Sequence, residues 1–187
     1  MTKLPIPMPG NRRAPARIEA MIRVDHAGEY GAVAIYQGQR AIFGGLPHKK
    51  RIADQLAEME KDEQAHLDAF DELLAKHQTR PTALAPIWDV AGHALGAATA
   101  LMGEKAAHAC TEAVETVIEQ HYAGQIEELE AMGEDELAKQ FTQFREEELA
   151  HRDLAIEEGA KQATGYPLLS AMIQAGCRLA IKVSEKV

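Results

Sequence analysis

Glu29-Tyr30-Gly31-Ala32-Val33-Ala34-Ile35-Tyr36-Gln37-Gly38-Gln39 carries the pattern Glu-x6-Tyr-x-Gly-Gln, and Glu115-Thr116-Val117-Ile118-Glu119-Gln120-His121-Tyr122-Ala123-Gly124-Gln125 carries it again 86 positions later. A second match follows the first. Glu63-Gln64-Ala65-His66-Leu67-Asp68 and Glu148-Leu149-Ala150-His151-Arg152-Asp153 share Glu-x-Ala-His-x-Asp at an offset of 85. Each half thus holds a lone glutamate and, 34 or 33 residues further on, an ExxH pair. Self-similarity at a fixed offset marks two copies of one helical unit, and two such units suggest a bundle with a pseudo-twofold axis.

In a helix, residues three apart lie on one face, so each ExxH aims a carboxylate and an imidazole in one direction. Two such helices and two lone glutamates supply four carboxylates and two imidazoles, the ligand inventory of di-iron and di-manganese bundles. Four glutamate charges neutralise two divalent ions. Imidazole with carboxylate suits iron or manganese better than calcium or zinc. The candidate metal ligands are Glu29, Glu63, His66, Glu115, Glu148 and His151. A single ExxH is a common accident in a Glu-rich helical chain; two copies at matched distances from matched glutamates carry the reading. Glu112 and Glu119 flank Glu115 by about one turn, but only Glu115 brings Tyr122, Gly124 and Gln125 into register with the first half.

Residues around this set have two readings each. Tyr36 and Tyr122 stand seven residues beyond their glutamates and share their faces; they either pack in the core with a satisfied hydroxyl, or hydrogen-bond around the metal ligands or form a pocket wall. Asp25, four residues before Glu29, faces the interior and needs a partner, for which the N–H of a metal-bound imidazole is the natural choice. His26, His93, His108 and His121 are left outside the metal set as surface or core histidines. Asp68 and Asp153 fall about 200° around the helix from their histidines and point away from the metals.

The rest of the chain reads as helix, and the fold class is all-α: a ferritin-like four-helix bundle with two accessory amphipathic helices. The first helix runs to Phe43, before Gly44-Gly45. Pro47 opens the second, which continues to about His77. Others cover 104–132 and 134–163, with Gly133 between them. Residues 1–16 read as a flexible Pro-containing tail and 17–187 as one domain. The repeat halves span about 17–78 and 104–163, and the accessory helices about 84–102 and 166–187. Only 5% of the residues are aromatic, in keeping with helix rather than strand. The net charge of −9 argues against nucleic acid as a partner. Cys110 and Cys177 lie in no CxxC motif, which indicates neither a zinc ribbon nor a disulfide framework.

Residues 84–102 invite a transmembrane reading, which Asp89, His93 and the excess of Ala and Gly oppose. On a helical wheel Asp89, His93, Gly96 and Ala100 share one side; Ile87, Trp88, Leu95, Ala98, Leu101 and Met102 cover the other. The last helix carries an apolar stripe of Leu168, Met172, Ala175, Leu179 and Val183 beside a basic row of Arg178, Lys182 and Lys186. The two segments either cap the bundle, or bury a subunit interface in a homo-oligomer, or form a peripheral membrane surface through which a lipid-soluble substrate reaches the metals.

Several stretches resemble the demethoxyubiquinone hydroxylases of ubiquinone biosynthesis. They are Arg23-Val24-Asp25-His26-Ala27-Gly28-Glu29-Tyr30-Gly31-Ala32, Ala109-Cys110-Thr111-Glu112-Ala113-Val114-Glu115, Phe144-Arg145-Glu146-Glu147-Glu148-Leu149-Ala150-His151 and Ile173-Gln174-Ala175-Gly176-Cys177-Arg178. The resemblance covers residues 17–187. It implies the same six ligands, two iron ions cycling between Fe2+ and Fe3+, and O2 as co-substrate. It also implies a polyprenylated methoxy-methyl-benzoquinol as substrate, hydroxylated at one ring carbon. NADH is a candidate electron donor, although no GxGxxG fingerprint is present. Other ubiquinone-biosynthesis proteins are expected partners. The short N-terminal segment without a clear presequence suggests a bacterial chain, placed peripherally on the cytoplasmic side of the inner membrane. The rival expectations are a ferritin-like iron-storage or peroxide-scavenging protein, which would not need the apolar segments, and a non-catalytic lipid-binding bundle, which would not need the ligands.

Overall fold

The computed structural model describes residues 16–186; the tail assigned to 1–16 lies outside them but for Ala16, which is helical. Among the described residues there is no strand. The helices are α1 (Ala16–Phe43), α2 (Lys50–His77), α3 (Ala85–Leu101), α4 (Glu104–Met132), α5 (Asp135–Glu157) and α6 (Tyr166–Ser184). Helices α1, α2, α4 and α5 enclose the core. An aromatic layer of Phe70, Tyr122, Phe141 and Phe144 fills one end. Tyr36, Phe43, Ile52, Leu56 and Met59 fill the other.

Two boundaries differ from the sequence reading. Pro47 starts a short 3-10 turn, Pro47–Lys49, and the α-helix begins only at Lys50. Helix α5 stops at Glu157, not Ala163, because Gly159 takes a left-handed conformation at φ 93. The chain then turns through Ala160–Gln162 and packs Ala160 and Ala163 onto Ala106 and Ala109 of α4. Gly133 (φ 76) ends α4 in the expected place, its N–H donating to Glu130 O while the Glu134 N–H donates to Leu129 O.

Each half also keeps an accessory helix against its own lone-glutamate helix: α3 lies on α1, and α6 lies on α4. The α1–α3 contact is backbone to backbone. A Cβ added at Gly96 would stand 2.0 Å from the Ile35 carbonyl oxygen, and one at Gly38 would stand 2.2 Å from that of His93. The small residues of α3 therefore turn inward, where Gly92, Gly96, Thr99 and Ala100 are buried. Its larger apolar side chains, Ile87, Val90, Leu101 and Met102, face out. Helix α6 also keeps Leu168, Met172 and Leu179 exposed. No helix among the described residues is long and apolar enough to cross a membrane.

Because the glycine contacts set the α1–α3 distance, Gly96→Val is expected to destabilise the metal-free protein by about 1–3 kcal/mol in urea unfolding. Gly124→Ala, at a helical position with open space around it, is expected to be neutral or stabilising by up to about 1 kcal/mol. Equal effects from the two substitutions would rule out close approach as the constraint.

Candidate metal centre

The six side chains singled out by the repeat lie together in the middle of the bundle. Glu29, Glu63, His66 and Glu148 offer one ligand atom each within 4.8 Å of one another, and so do Glu63, Glu115, Glu148 and His151. Glu63 and Glu148 belong to both groups, so two adjacent positions share a pair of carboxylates. All six residues are buried. Of the neighbouring glutamates on α4, only Glu115 enters the cluster. Glu112 accepts from Ser170 of α6, and Glu119 pairs with Arg145 of α5.

The orientations are set reciprocally between the halves. Tyr36 of α1 donates its phenol hydrogen to Glu115 of α4 at 3.0 Å, and Tyr122 of α4 donates to Glu29 of α1 at 2.5 Å. Burial and the nearby carboxylates push both phenols well above their ordinary value, so both remain donors. Each histidine turns Nδ1 inward. His66 Nδ1 lies 3.1 Å from Glu148, and His151 Nδ1 lies 3.1 Å from Glu63. Their outer nitrogens meet carboxylates on the facing helix: His66 Nε2 donates to Glu147 at 2.5 Å, and His151 Nε2 donates to Asp62 at 3.4 Å. This anchoring is how proteins fix the tautomer and aim of a metal-binding imidazole.

Asp62 and Glu147 escaped the sequence reading, although an acid precedes each ExxH at the same offset of 85. Asp25 does not meet a histidine of the cluster, the partner its sequence position favours. It is buried, but it accepts from Gln125 Nε2 at 3.0 Å and sits 3.2 Å from His121 Nε2, a histidine outside the cluster. Asp68 bonds only within its own helix, to Gln64, and Asp153 meets Arg152 at the surface. His26, His93, His108 and His121 join neither ligand group.

Electrostatics test whether a cation fits. Both Glu148 oxygens, Glu63 Oε2 and His66 Nδ1 are buried without a hydrogen-bond partner. Acceptor oxygens facing one another in a dry site need positive charge between them. In the metal-free protein protons supply part of it. Burial, then the charges of Glu148 and Glu63, hold the Glu115 carboxyl well above the usual range; burial also raises that of Glu29. Burial opposes charge on His151, yet the nearby carboxylates of Glu148 and Glu63 outweigh it and push its pKa up to about 11. His66 shifts the same way through Glu148, Glu29 and Glu63. The donor set therefore suits two divalent cations.

On the outer side of α1 and α4 lies a cavity of about 440 Å³, closed by α3 and α6. Its walls are apolar: Gly28, Ala32 and Ile35 of α1, Val114 and Ile118 of α4, and Ile173 and Cys177 of α6. Gly28 and Val114 are the chain neighbours of Glu29 and Glu115, so the helices that supply those two glutamates also form the inner wall of the cavity. Trp88 Nε1 donates to Ser184 Oγ at 3.0 Å and joins α3 to α6 along its rim.

An all-α bundle with a buried carboxylate–imidazole cluster behind an apolar cavity defines a class of helical metalloproteins. Residues 16–184 match the family model described as "Ubiquinone biosynthesis protein COQ7", and the chain belongs to that family. It is 50% identical over 182 residues to the 3-demethoxyubiquinol 3-hydroxylase of Rhodospirillum rubrum, covering 96% of this chain and 83% of that protein. It is 47% identical to the rat mitochondrial NADPH-dependent 3-demethoxyubiquinone 3-hydroxylase, covering 91% of this chain and 78% of the relative. It is 38% identical to the mitochondrial 5-demethoxyubiquinone hydroxylase of Saccharomyces cerevisiae, covering 92% and 79%.

The proton count of the cluster predicts a pH response. The folded metal-free protein keeps protons on His151 that the unfolded chain sheds near pH 6.5. The stabilisation is complete below that pH and is lost as pH rises toward about 11. The raised Glu29 and Glu115 act with the same sign from the ordinary carboxylate range upward. The melting temperature in chelator is expected to fall steadily with rising pH. Added Fe2+ or Mn2+ should remove that fall, because metal binding needs deprotonated ligands. A melting temperature in chelator that does not fall over this range would contradict the assignment.

Proposed function

We propose that this protein hydroxylates a demethoxyubiquinol, a polyprenylated methoxy-methyl-benzoquinol, with O2 at a pair of iron ions held by Glu29, Glu63, His66, Glu115, Glu148 and His151. The reaction is a late step of ubiquinone biosynthesis. The observation that carries the reading is the apolar cavity walled by the same two helices, α1 and α4, that supply Glu29 and Glu115 to the buried cluster. A quinone ring and the start of a prenyl chain need such a dry compartment, and an iron-storage protein has no use for one.

The balance of the reaction is one ring C–H, one O2, two electrons and two protons giving a ring C–OH and water. Iron, when bound, supplies the activation of O2. The protein supplies the rest. Glu63 and Glu148, common to both ligand groups, fix the spacing of the two positions. Tyr36 and Tyr122 hold the lone carboxylates by donating to them across the bundle. Glu147 and Asp62 hold the imidazole rings. The cavity walls exclude water and place the ring against the Glu29–Glu115 side. Several relatives are named as NADPH-dependent, which supports a reduced nicotinamide dinucleotide, NADH or NADPH, as the electron source.

A substrate with a polyprenyl tail resides in a membrane. The exposed Leu168, Met172 and Leu179 of α6 and Ile87 and Val90 of α3 lie on the two helices that close the cavity. Arg178, Lys182 and Lys186 add charge suited to anionic lipid. We place the protein peripherally on the cytoplasmic face of a bacterial inner membrane, with its cavity opening to the lipid.

Two measurements test these statements. Glu148→Ala is expected to lose bound iron and to abolish conversion of demethoxyubiquinol to its hydroxylated product; unchanged conversion would end the assignment. Iron uptake by the unaltered protein without hydroxylation would favour the storage reading. Replacing Leu168, Met172 and Leu179 by Ser is expected to raise KM for quinol in anionic vesicles about tenfold or more. Activity on a short-tailed, water-soluble quinol should be kept. An unchanged vesicle KM would refute the membrane face.

A further inference from the structure

The face of α4 that carries Glu115 continues toward the start of the helix. Thr111 stands four residues before Glu115 and His108 seven before, both within about 40° of its direction. Each is 1% exposed. Neither ring nitrogen of His108 has a hydrogen-bond partner, nor has the Thr111 hydroxyl. Beside them Gln39 donates from Nε2 to Ala107 O at 3.1 Å, leaving its own Oε1 unpartnered. Buried polar atoms are seldom left without partners, and a row of them is the signature of enclosed water.

The repeat shows that the fold has no need of a histidine here. The position equivalent to His108 in the first half is Ile22, fully buried in the core. The second half thus replaces an apolar core residue with a buried imidazole, at the cost of desolvating it.

The charged groups facing His108 are Glu158 beyond α5, Arg51 of α2 and Glu104 at the start of α4. All three line a polar cleft of about 430 Å³ at the end of the bundle, with Lys49 and Lys105. His108 therefore lies between solvent in that cleft and the cluster. The other approach, the apolar cavity, offers no chain of groups able to carry protons. Asp62 and Glu147 reach the surface, but they accept from ring N–H groups that an imidazole ligand must keep.

We propose that His108 and Thr111, bridged by enclosed water, form the proton path from the polar cleft to Glu115. The path rests on the hydroxylase reading, whose reaction takes up two protons for each O2. A proton enters at the cleft and is accepted by a His108 nitrogen. The other nitrogen releases one to water and the Thr111 hydroxyl, which pass it to the Glu115 side. The cycle repeats for the second proton, while both electrons come from the nicotinamide donor. Burial lowers the pKa of His108, so the ring is neutral at rest and free to accept.

The test uses His108→Ile, the residue of the first half, together with Thr111→Val and Thr111→Ser. In the iron-loaded protein, His108→Ile and Thr111→Val are expected to lower kcat about 10- to 100-fold with KM for the quinol unchanged. The solvent isotope effect on kcat should rise, and Thr111→Ser should restore it. A kcat and solvent isotope effect unchanged in both His108→Ile and Thr111→Val would overturn the proposal. A second readout needs neither iron nor turnover. A high-resolution crystal structure of the metal-free protein should show ordered water joining His108 to Thr111. A dry, closed contact there would overturn the path even if hydroxylation is established. Water there with no hydroxylase activity in the unaltered protein would instead fail the functional reading.

Discussion

Four carboxylates are held side by side in a dry bundle, and that constraint orders the rest of the structure. Each buried charge costs several kcal/mol unless opposite charge or hydrogen bonds compensate it. Two imidazoles and two phenols are the compensation the chain itself provides, and each acts across the bundle on a residue of the other half. The reciprocity has a mechanical consequence. Neither half can orient its own carboxylate and imidazole alone, so the site forms only when the halves dock. What remains uncompensated, on Glu63 and Glu148, is the charge that two bound cations would meet.

Helix α1 serves two demands at once. Its inner face presents Glu29 and Tyr36 to the cluster, while its outer face must leave room for a cavity. Glycines resolve the conflict. Gly38 of α1 and Gly92 and Gly96 of α3 bring the two backbones together at one end of the cavity, where a Cβ at Gly92 would lie 2.7 Å from the Gly31 carbonyl oxygen. Since small residues make that contact, Ile87, Val90 and Leu101 of α3 stay at the surface, while Trp88 and Leu95 turn to the cavity. The exposed apolar face is thus partly a consequence of how the cavity is built.

Much of this was legible in the chain because the repeat filters coincidence. Glutamates abound on α4, yet only Glu115 has a counterpart in α1 with a tyrosine and a glutamine in register. What was not legible depends on distances between helices. An acid one position before a ligand lies about 100° around its helix, and sequence does not reveal how closely the facing helix approaches it. Asp62 and Glu147 were therefore missed, and Asp25 was offered an imidazole ligand when its neighbour is His121. The inward side of α3 was ambiguous for a related reason: the wheel separates large from small residues, but only a close backbone contact makes the small side the buried one. The end of α5 was not legible either, because a single glycine such as Gly159 is tolerated within a helix and only its left-handed backbone makes it a stop.

The pseudo-twofold symmetry also shows where the molecule had to become asymmetric. The six clustered residues, the two tyrosines, the acids before each ExxH and even the accessory helices come in matched pairs. A symmetric site would treat both metal positions and both ends of the bundle alike. The departures concentrate on α4. Its His108 and His121 stand opposite Ile22 and Ile35 of α1, so at these two positions an imidazole replaces an apolar residue. On α1 the equivalent Ile35 lines the apolar cavity. Both helices wall the apolar cavity, but the extra imidazoles of His108 and His121 are on α4 alone, an asymmetry that duplication of a symmetric unit would not produce by itself.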